Sequence, residues 1–308
     1  MAMFFLDMNY SELTFQLWHR LWVDYRERVT YARIYEQMIL DAGGKVANDH
    51  IAFRSLRLTV NCDHKSVNLG IPYLANLVEK LGYVVRGEYH FPSSHLYARH
   101  YQHPEQDLYD LPKLFISELM VDELPEFIIQ QIQKTVDSGT FFDLEQVSFD
   151  GEKEQLLTQL QGVFTRPWAV PSKSVVEAVN EVSQYGAWVL IHGYGVNHFT
   201  GYINRQNTAK YPDIESTAKG LADLGVPMKS TIEGSRGSGL RQTATHAVTE
   251  MVTLKDDTTG ELTQIPWTYA YYEIAQRNII ESEAGKTILF EGFLDAQAKN
   301  LFEMTRKS

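Results

Sequence analysis

The chain has 308 residues, 44% of them hydrophobic and 22% charged, the balance of a globular protein with a full core rather than a disordered or fibrous one. Its formal net charge of −11 disfavours nucleic acid as a partner, because phosphate backbones are repelled and no Lys/Arg cluster offsets this locally. One cysteine, Cys62, excludes an intrachain disulfide and any cysteine-based zinc or iron–sulfur site, and no apolar run approaches the ~20 residues of a membrane helix, so a cytoplasmic protein without a membrane partner is expected.

In chain order, residues 1–48 read as a helical segment. Ser11 can cap a first helix in which Leu13, Leu17, Trp18, Leu21, Trp22 and Tyr25 recur at helical spacing, an aromatic stripe that reads as core packing. A second helix spans roughly Tyr31 to Ala42 and stops at Gly43–Gly44. Residues 49–121 then read as strand (Asp49 to Leu58), helix (about Val67 to Leu81, closed by Gly82) and three strands: Tyr83 to Phe91, Leu96 to Tyr101 and Lys113 to Met120. This is one βαβββ module.

Residues 122–186 return to helix, with Pro125 in a first turn, an amphipathic run from Glu152 to Phe164, and Ser174 capping Val175 to Tyr185. From 187 to 308 the strand period reappears in Trp188 to Ile191 and His198 to Ile203. A helix from Asp213 to Leu224 follows, then strands Arg241 to Leu254 and Pro266 to Ala275, and a C-terminal helix. The expected fold is therefore α+β: two βαβββ modules forming a curved, barrel-like sheet, with helical additions at the N-terminus and between the modules.

Each module opens on a strand carrying a histidine, Asp49-His50-Ile51 and Asn197-His198-Phe199. If the modules curl around a shared cavity, both imidazoles face it, and a carboxylate from a late strand completes a set that leaves one face of an octahedral ion open. Two carboxylates compete. Glu273 lies in the β-prone run Trp267 to Arg277, sharing a face with Tyr271 and Ala275, and is costly there unless a cation meets it. Glu291 sits beside Gly292 and reads as a turn or edge residue. Arg54 follows His50 by four residues on the same strand face, so its guanidinium can bind the far carboxylate of a dicarboxylic ligand, or it can serve a structural ion pair. The remaining histidines read as core or surface groups. Gly234 to Gly239 does not join a strand to a helix, which discounts a nucleotide loop, and no G-x-S-x-G or H-E-x-x-H motif is present.

The run Tyr272-Glu-Ile-Ala-Gln-Arg277, followed by Glu291-Gly-Phe-Leu-Asp and Asn300-Leu-Phe-Glu303, resembles the end of 4-hydroxyphenylpyruvate dioxygenase, a member of the vicinal oxygen chelate superfamily. Asp49-His-Ile-Ala-Phe-Arg54 and Val196-Asn-His-Phe-Thr200 resemble more closely the 2-oxoadipate dioxygenase/decarboxylase family of that superfamily. The resemblance implies Fe(II) on His50, His198 and Glu273, a substrate carboxylate on Arg54, and Gln242 in the pocket wall. It also implies conversion of a 2-oxo dicarboxylic acid, 2-oxoadipate, and O2 to 2-hydroxyglutarate and CO2. The best-understood family members are longer chains, which leaves the pocket wall less defined than the metal set. Two other classes stay open from the residues alone: an isomerase or hydrolase using Zn, Ni or Mn as a Lewis acid, and a non-catalytic small-molecule binding protein.

Overall fold

The computed structural model describes residues 9–62, 65–281 and 285–294. Helix α1 (Tyr10–Arg28) is capped by Asn9, whose side-chain oxygen accepts from the Glu12 N–H, two residues before the expected Ser11 cap. Helix α2 (Thr30–Asp41) follows at once. The first module is β1 (Asn48–Arg57), a small hairpin of β2 (Thr59–Cys62) and β3 (Lys65–Asn68), helix α3 (Ile71–Lys80), β4 (Val84–Phe91), β5 (Leu96–Gln102), the short helix α4 (Gln106–Tyr109) and β6 (Lys113–Met120). The hairpin takes residues that the sequence reading gave to the start of the helix.

Four helices come next: α5 (Glu126–Val136), α6 (Lys153–Gly162), α7 (Lys173–Val182, with Ser172 rather than Ser174 at its N-cap) and α8 (Gln184–His192). The run Trp188 to Ile191, expected as a strand, lies inside α8. Residues Tyr185 to Ile191 are all buried, so the helix is apolar all round and shows neither the 3.6-residue nor the two-residue period.

The second module runs β7 (Val196–Tyr202), α9 (Ile214–Asp223), β8 (Leu240–Ala244), β9 (Thr249–Lys255), β10 (Leu262–Thr268) and β11 (Glu273–Arg277), followed by β12 (Ile279–Glu281) and β13 (Thr287–Leu289). Both long strands expected here are broken. Ala244 ends β8 and β9 begins a separate hairpin with β10. The other run splits between β10 and β11, and the main chain at Tyr269 to Tyr272 bonds instead with Thr245 and Val248. The expected C-terminal helix lies outside the described residues. Among the described residues, no helix is long and apolar enough to cross a membrane.

One seven-stranded sheet, ordered β4-β5-β6-β1-β7-β11-β8, curls into a half-barrel. Its centre is the antiparallel pair β1–β7, the opening strands of the two modules. Each lies parallel to a late strand of its own module, β6 beside β1 and β11 beside β7. β5 then pairs antiparallel with β6, as β8 does with β11. Beyond β8, the segment from Met228 to Glu233 bridges Thr245 and Gln242 in antiparallel sense, standing where β4 stands in the first module. The α+β fold of paired modules is thus present, with the fourth strand of the second module reduced to two bridges.

β1, β6 and β7 are buried almost throughout, which marks strands covered on both faces. On the outer face, Phe199 packs against Trp22 and Tyr25 of α1 at ring distances of 5.2 and 5.1 Å. Gly201 admits Tyr35 and Tyr272 so closely that a Cβ there would stand 2.5 Å from the Tyr272 hydroxyl. We expect Gly201→Ala to lower folding stability by about 1–3 kcal/mol through overpacking, read as a lower urea midpoint at unchanged m-value. An unchanged midpoint would mean that the two tyrosines yield freely.

Candidate metal centre

β1 and β7 pair so that Ala52 lies opposite His198 and His50 opposite Thr200, while Glu273 at the start of β11 also lies opposite Thr200. Three side chains from three adjacent strands therefore converge on the inner face. His50 Nε2 is 3.4 Å from His198 Nε2 and 3.8 Å from Glu273 Oε1, and His198 Nε2 is 3.8 Å from Glu273 Oε2. Donors held ~2.1 Å from one small ion lie ~3–3.4 Å apart at right or tetrahedral angles, so the triad fits a single divalent ion after small side-chain shifts. All three residues are buried.

The register shifts explain the aim of the histidines. Between Asn48 and His50 the pairing advances by two residues on β1 but one on β7, and between Ala52 and Phe53 it advances by one on β1 but two on β7. The extra residues are Asp49 and Asn197. Such a bulge breaks strand alternation and re-aims the neighbouring side chains. Each bulged residue then serves the histidine that follows it: His50 Nδ1–H donates to Asp49 Oδ1 (2.8 Å) and His198 Nδ1–H donates to Asn197 Oδ1 (3.1 Å). Both Nε2 atoms are left as the inward-facing lone pairs, the tautomer that metal ligation requires. The Thr200 hydroxyl also lies 3.1 Å from His50 Nε2.

Electrostatics agree with a cation among these groups. Burial pushes the pKa of both imidazoles down, so they are neutral donors. Burial also pushes the Glu273 carboxyl well above its usual range, aided by the negative charges of Glu233 and Asp49. Neither Glu273 oxygen has a hydrogen-bond partner among the described residues. A fully buried carboxylate left this way is costly, and a divalent ion beside it reverses the preference. Asp49 behaves oppositely. Burial would raise its pKa, but Arg277, the His50 hydrogen bond and Lys113 hold it well below the usual range. The alternative carboxylate, Glu291, is engaged elsewhere, with Oε2 2.5 Å from Lys113 Nζ.

The histidines open on a cavity whose wall includes Arg54, Ser117 and Gln242 on the polar side and Phe115, Leu240, Tyr271 and Phe293 on the apolar side. Arg54 is buried, with its guanidinium 4.7 Å from the Tyr185 ring centre and 5.1 Å from that of Trp188. Tyr271 precedes β11 rather than sharing its strand face with Glu273, yet its ring stacks on His198 at 4.8 Å. His100, read from sequence as a bland group, lies behind Phe293 at a ring distance of 5.2 Å. Burial and the charges of Arg277 and Lys113 push it down to about 4. Sequence reasoning passed over Asp49, Asn197, Arg277, Lys113 and Phe293. The signal for the first two was present in the paired dipeptides Asp-His and Asn-His that open the modules.

The sequence profile of the 2-oxoadipate dioxygenase/decarboxylase family matches residues 23–306. The chain belongs to this family. A relative from Oryza sativa subsp. japonica, the chloroplastic/amyloplastic 2-oxoadipate dioxygenase/decarboxylase, is 29% identical over 280 residues, covering 85% of this chain and 70% of its own. The crystal structure of the Oryza sativa hydroxyglutarate synthase in complex with 2-oxoadipate superposes with a TM-score of 0.77 at 26% identity, covering 98% of this chain and 94% of the other. A glyoxalase-superfamily protein from Ralstonia eutropha shares the fold, with a TM-score of 0.75 at 22% identity over 87% and 83% of the two chains. Family membership and the vicinal-oxygen-chelate-like fold thus agree with the expectations from sequence.

The orphaned Glu273 carboxylate generates an unusual expectation. In metal-free protein, Glu273→Gln should raise stability by roughly 1–3 kcal/mol, because a carboxyl whose pKa burial has raised must take up a proton or hold an unpartnered charge at neutral pH, and glutamine does neither. The same variant should lose the rise in melting temperature that divalent metal gives the parent chain, a rise of about 2.7 kcal/mol in stability at a hundred times Kd. Calorimetry with and without chelator tests both; a destabilised metal-free variant would show that Glu273 has a compensating protein partner.

Proposed function

We propose that the protein is an Fe(II)-dependent dioxygenase that decarboxylates a 2-oxo dicarboxylic acid, 2-oxoadipate, and yields 2-hydroxyglutarate and CO2. The observation that carries the reading is the meeting of two neutral imidazoles and an unpartnered carboxylate at one end of a buried cavity that also receives Arg54. Membership in a family of dioxygenases favours this reading over the Lewis-acid isomerase, the hydrolase and the binding protein. His50, His198 and Glu273 are the proposed ligands. Bound Fe(II) supplies the redox capacity that lets triplet dioxygen react with a 2-oxo acid.

The chain's own residues supply position and exclusion. Arg54 offers a planar, permanently charged fork to the carboxylate farthest from the reacting end, and its place over Tyr185 and Trp188 limits its rotation. Gln242 and Ser117 add polar contacts on the same wall, while Phe115, Leu240, Tyr271 and Phe293 keep water from the reacting carbon. Overall the substrate loses its first carboxyl as CO2. One oxygen atom of O2 enters the new carboxylate and the other becomes the 2-hydroxyl, so no separate 2-oxoglutarate is consumed.

The test is chelator-treated protein loaded anaerobically with Fe(II), then given 2-oxoadipate and air. O2 uptake and CO2 release are expected in equal amounts, and His198→Ala should abolish both. Arg54→Lys should raise KM about 10–100-fold with a smaller loss in kcat, the cost of one charge-assisted hydrogen-bonding arm. Turnover that persists without oxygen would reject the oxidative reading.

A further inference from the structure

His50 and the segment that covers the cavity are joined through one buried guanidinium. Arg277 ends β11, and its side chain has no exposed surface. Its Nε and Nη2 donate to the two oxygens of Asp49 at 2.6 and 2.8 Å. Its Nη1 donates in the other direction, to the carbonyls of Phe290 (3.1 Å) and Gly292 (2.8 Å). Asp49 accepts from His50 Nδ1 at 2.8 Å. The next residue of the segment, Phe293, sets its ring edge-on to His50 at 4.9 Å and lies 5.2 Å from the Arg277 guanidinium. Between the two bound carbonyls, Glu291 reaches Lys113, the residue paired with His50 across β1 and β6. Asp49, Arg277, Lys113 and Glu291 thus form a charge-balanced network with His50 at its inner end and residues 290–293 at its outer end.

We propose that Arg277 is a positioning residue that couples ion binding at His50 to seating of the 290–293 segment over the cavity. The inference rests on the metal-centre reading above. Its physical basis is that the guanidinium has both partners only when both ends are in place. With the segment lifted, Nη1 loses two buried acceptors, Asp49 is held less firmly, and His50 loses its fixed tautomer and angle. With His50 drawn onto an ion, Asp49 and Arg277 are locked and the carbonyls of Phe290 and Gly292 meet a fixed donor. A coupling of this kind is reciprocal: whatever the ion does for the segment, the segment does for ion affinity. Its chemical use is order of events, since the ligand-bearing cavity is then walled by Phe293 once the ion is seated.

The experiment titrates Co(II) into the chelator-treated full chain, following its visible absorption, and measures hydrogen exchange of residues 286–294 with and without Co(II). The Phe290 and Phe293 amides report the seated segment, because they donate to the Asn278 carbonyl and the Tyr89 hydroxyl at 3.0 and 3.2 Å. Co(II) should slow their exchange at least tenfold in the parent chain. Asp49→Asn and Arg277→Lys should bind Co(II) about 10–100-fold more weakly, the usual loss when a ligand's orienting partner changes, and their exchange should no longer respond to it. Glu291→Gln, which touches neither ligand nor orienting group, should weaken Co(II) binding by roughly tenfold and keeps the test open should Arg277→Lys fail to fold. Co(II) bound in one equivalent with no change in segment exchange, or Glu291→Gln binding Co(II) like the parent, overturns the coupling alone. A parent chain that takes up no Co(II) overturns the metal centre and the coupling together.

Discussion

The architecture of the site depends on one buried carboxylate. Glu273 has no exposed surface, and among the described residues neither of its oxygens has a hydrogen-bond partner. The nearby cations are committed: Arg277 to Asp49, and Lys229 to Glu233. A charge in that position costs several kcal/mol unless a cation shares the space. The facing groups are two imidazoles that burial keeps neutral. Such an arrangement is poorly explained as stabilising architecture and well explained as a ligand set, because ligation removes the penalty that the fold otherwise bears.

The sheet makes this convergence accessible from residues distant in sequence. Pairing β1 with β7 brings together the opening strands of two modules, so side chains separated by 148 positions meet at 3.4 Å. The bulges at Asp49 and Asn197 then turn each histidine and the residue before it toward a common task. The two halves solve the same problem with different chemistry. Asn197 offers a neutral acceptor, whereas Asp49 offers a charge that Arg277 and Lys113 balance. The charged half is the one wired to the segment carrying Phe293, so the asymmetry between modules coincides with the mouth of the cavity.

Much of the fold was legible. β6 occupies the span Lys113 to Met120 that reads as strand in the sequence, and α9 is capped by Asp213, whose side chain accepts from the Ser216 amide in a capping box. The losses have physical causes. α8 is apolar on every side because it is buried on every side, so no periodicity survives to separate helix from strand. The β10–β11 run is uniformly β-prone, yet the backbone leaves the β9–β10 hairpin at Tyr269 and enters the seven-stranded sheet only at Glu273, a break imposed by bonds to Val248 and Thr245. In the site, a histidine at the start of each module and a carboxylate on a late strand were visible as a pattern. Arg277 was not, since an arginine ending a strand looks the same in sequence whether it faces solvent or a buried aspartate.

By itself the sequence determined the class of fold, the pair of histidine-bearing strands and the short list of carboxylates able to join them, because these follow from local period, residue type and order along the chain. Only the tertiary structure decided which carboxylate meets the histidines and which is drawn off by Lys113. It alone also decided that Asp49 and Arg277 tie His50 to the segment over the cavity. Those choices depend on register, bulges and burial between strands far apart in sequence, where a difference of one residue in pairing moves a side chain to the opposite face.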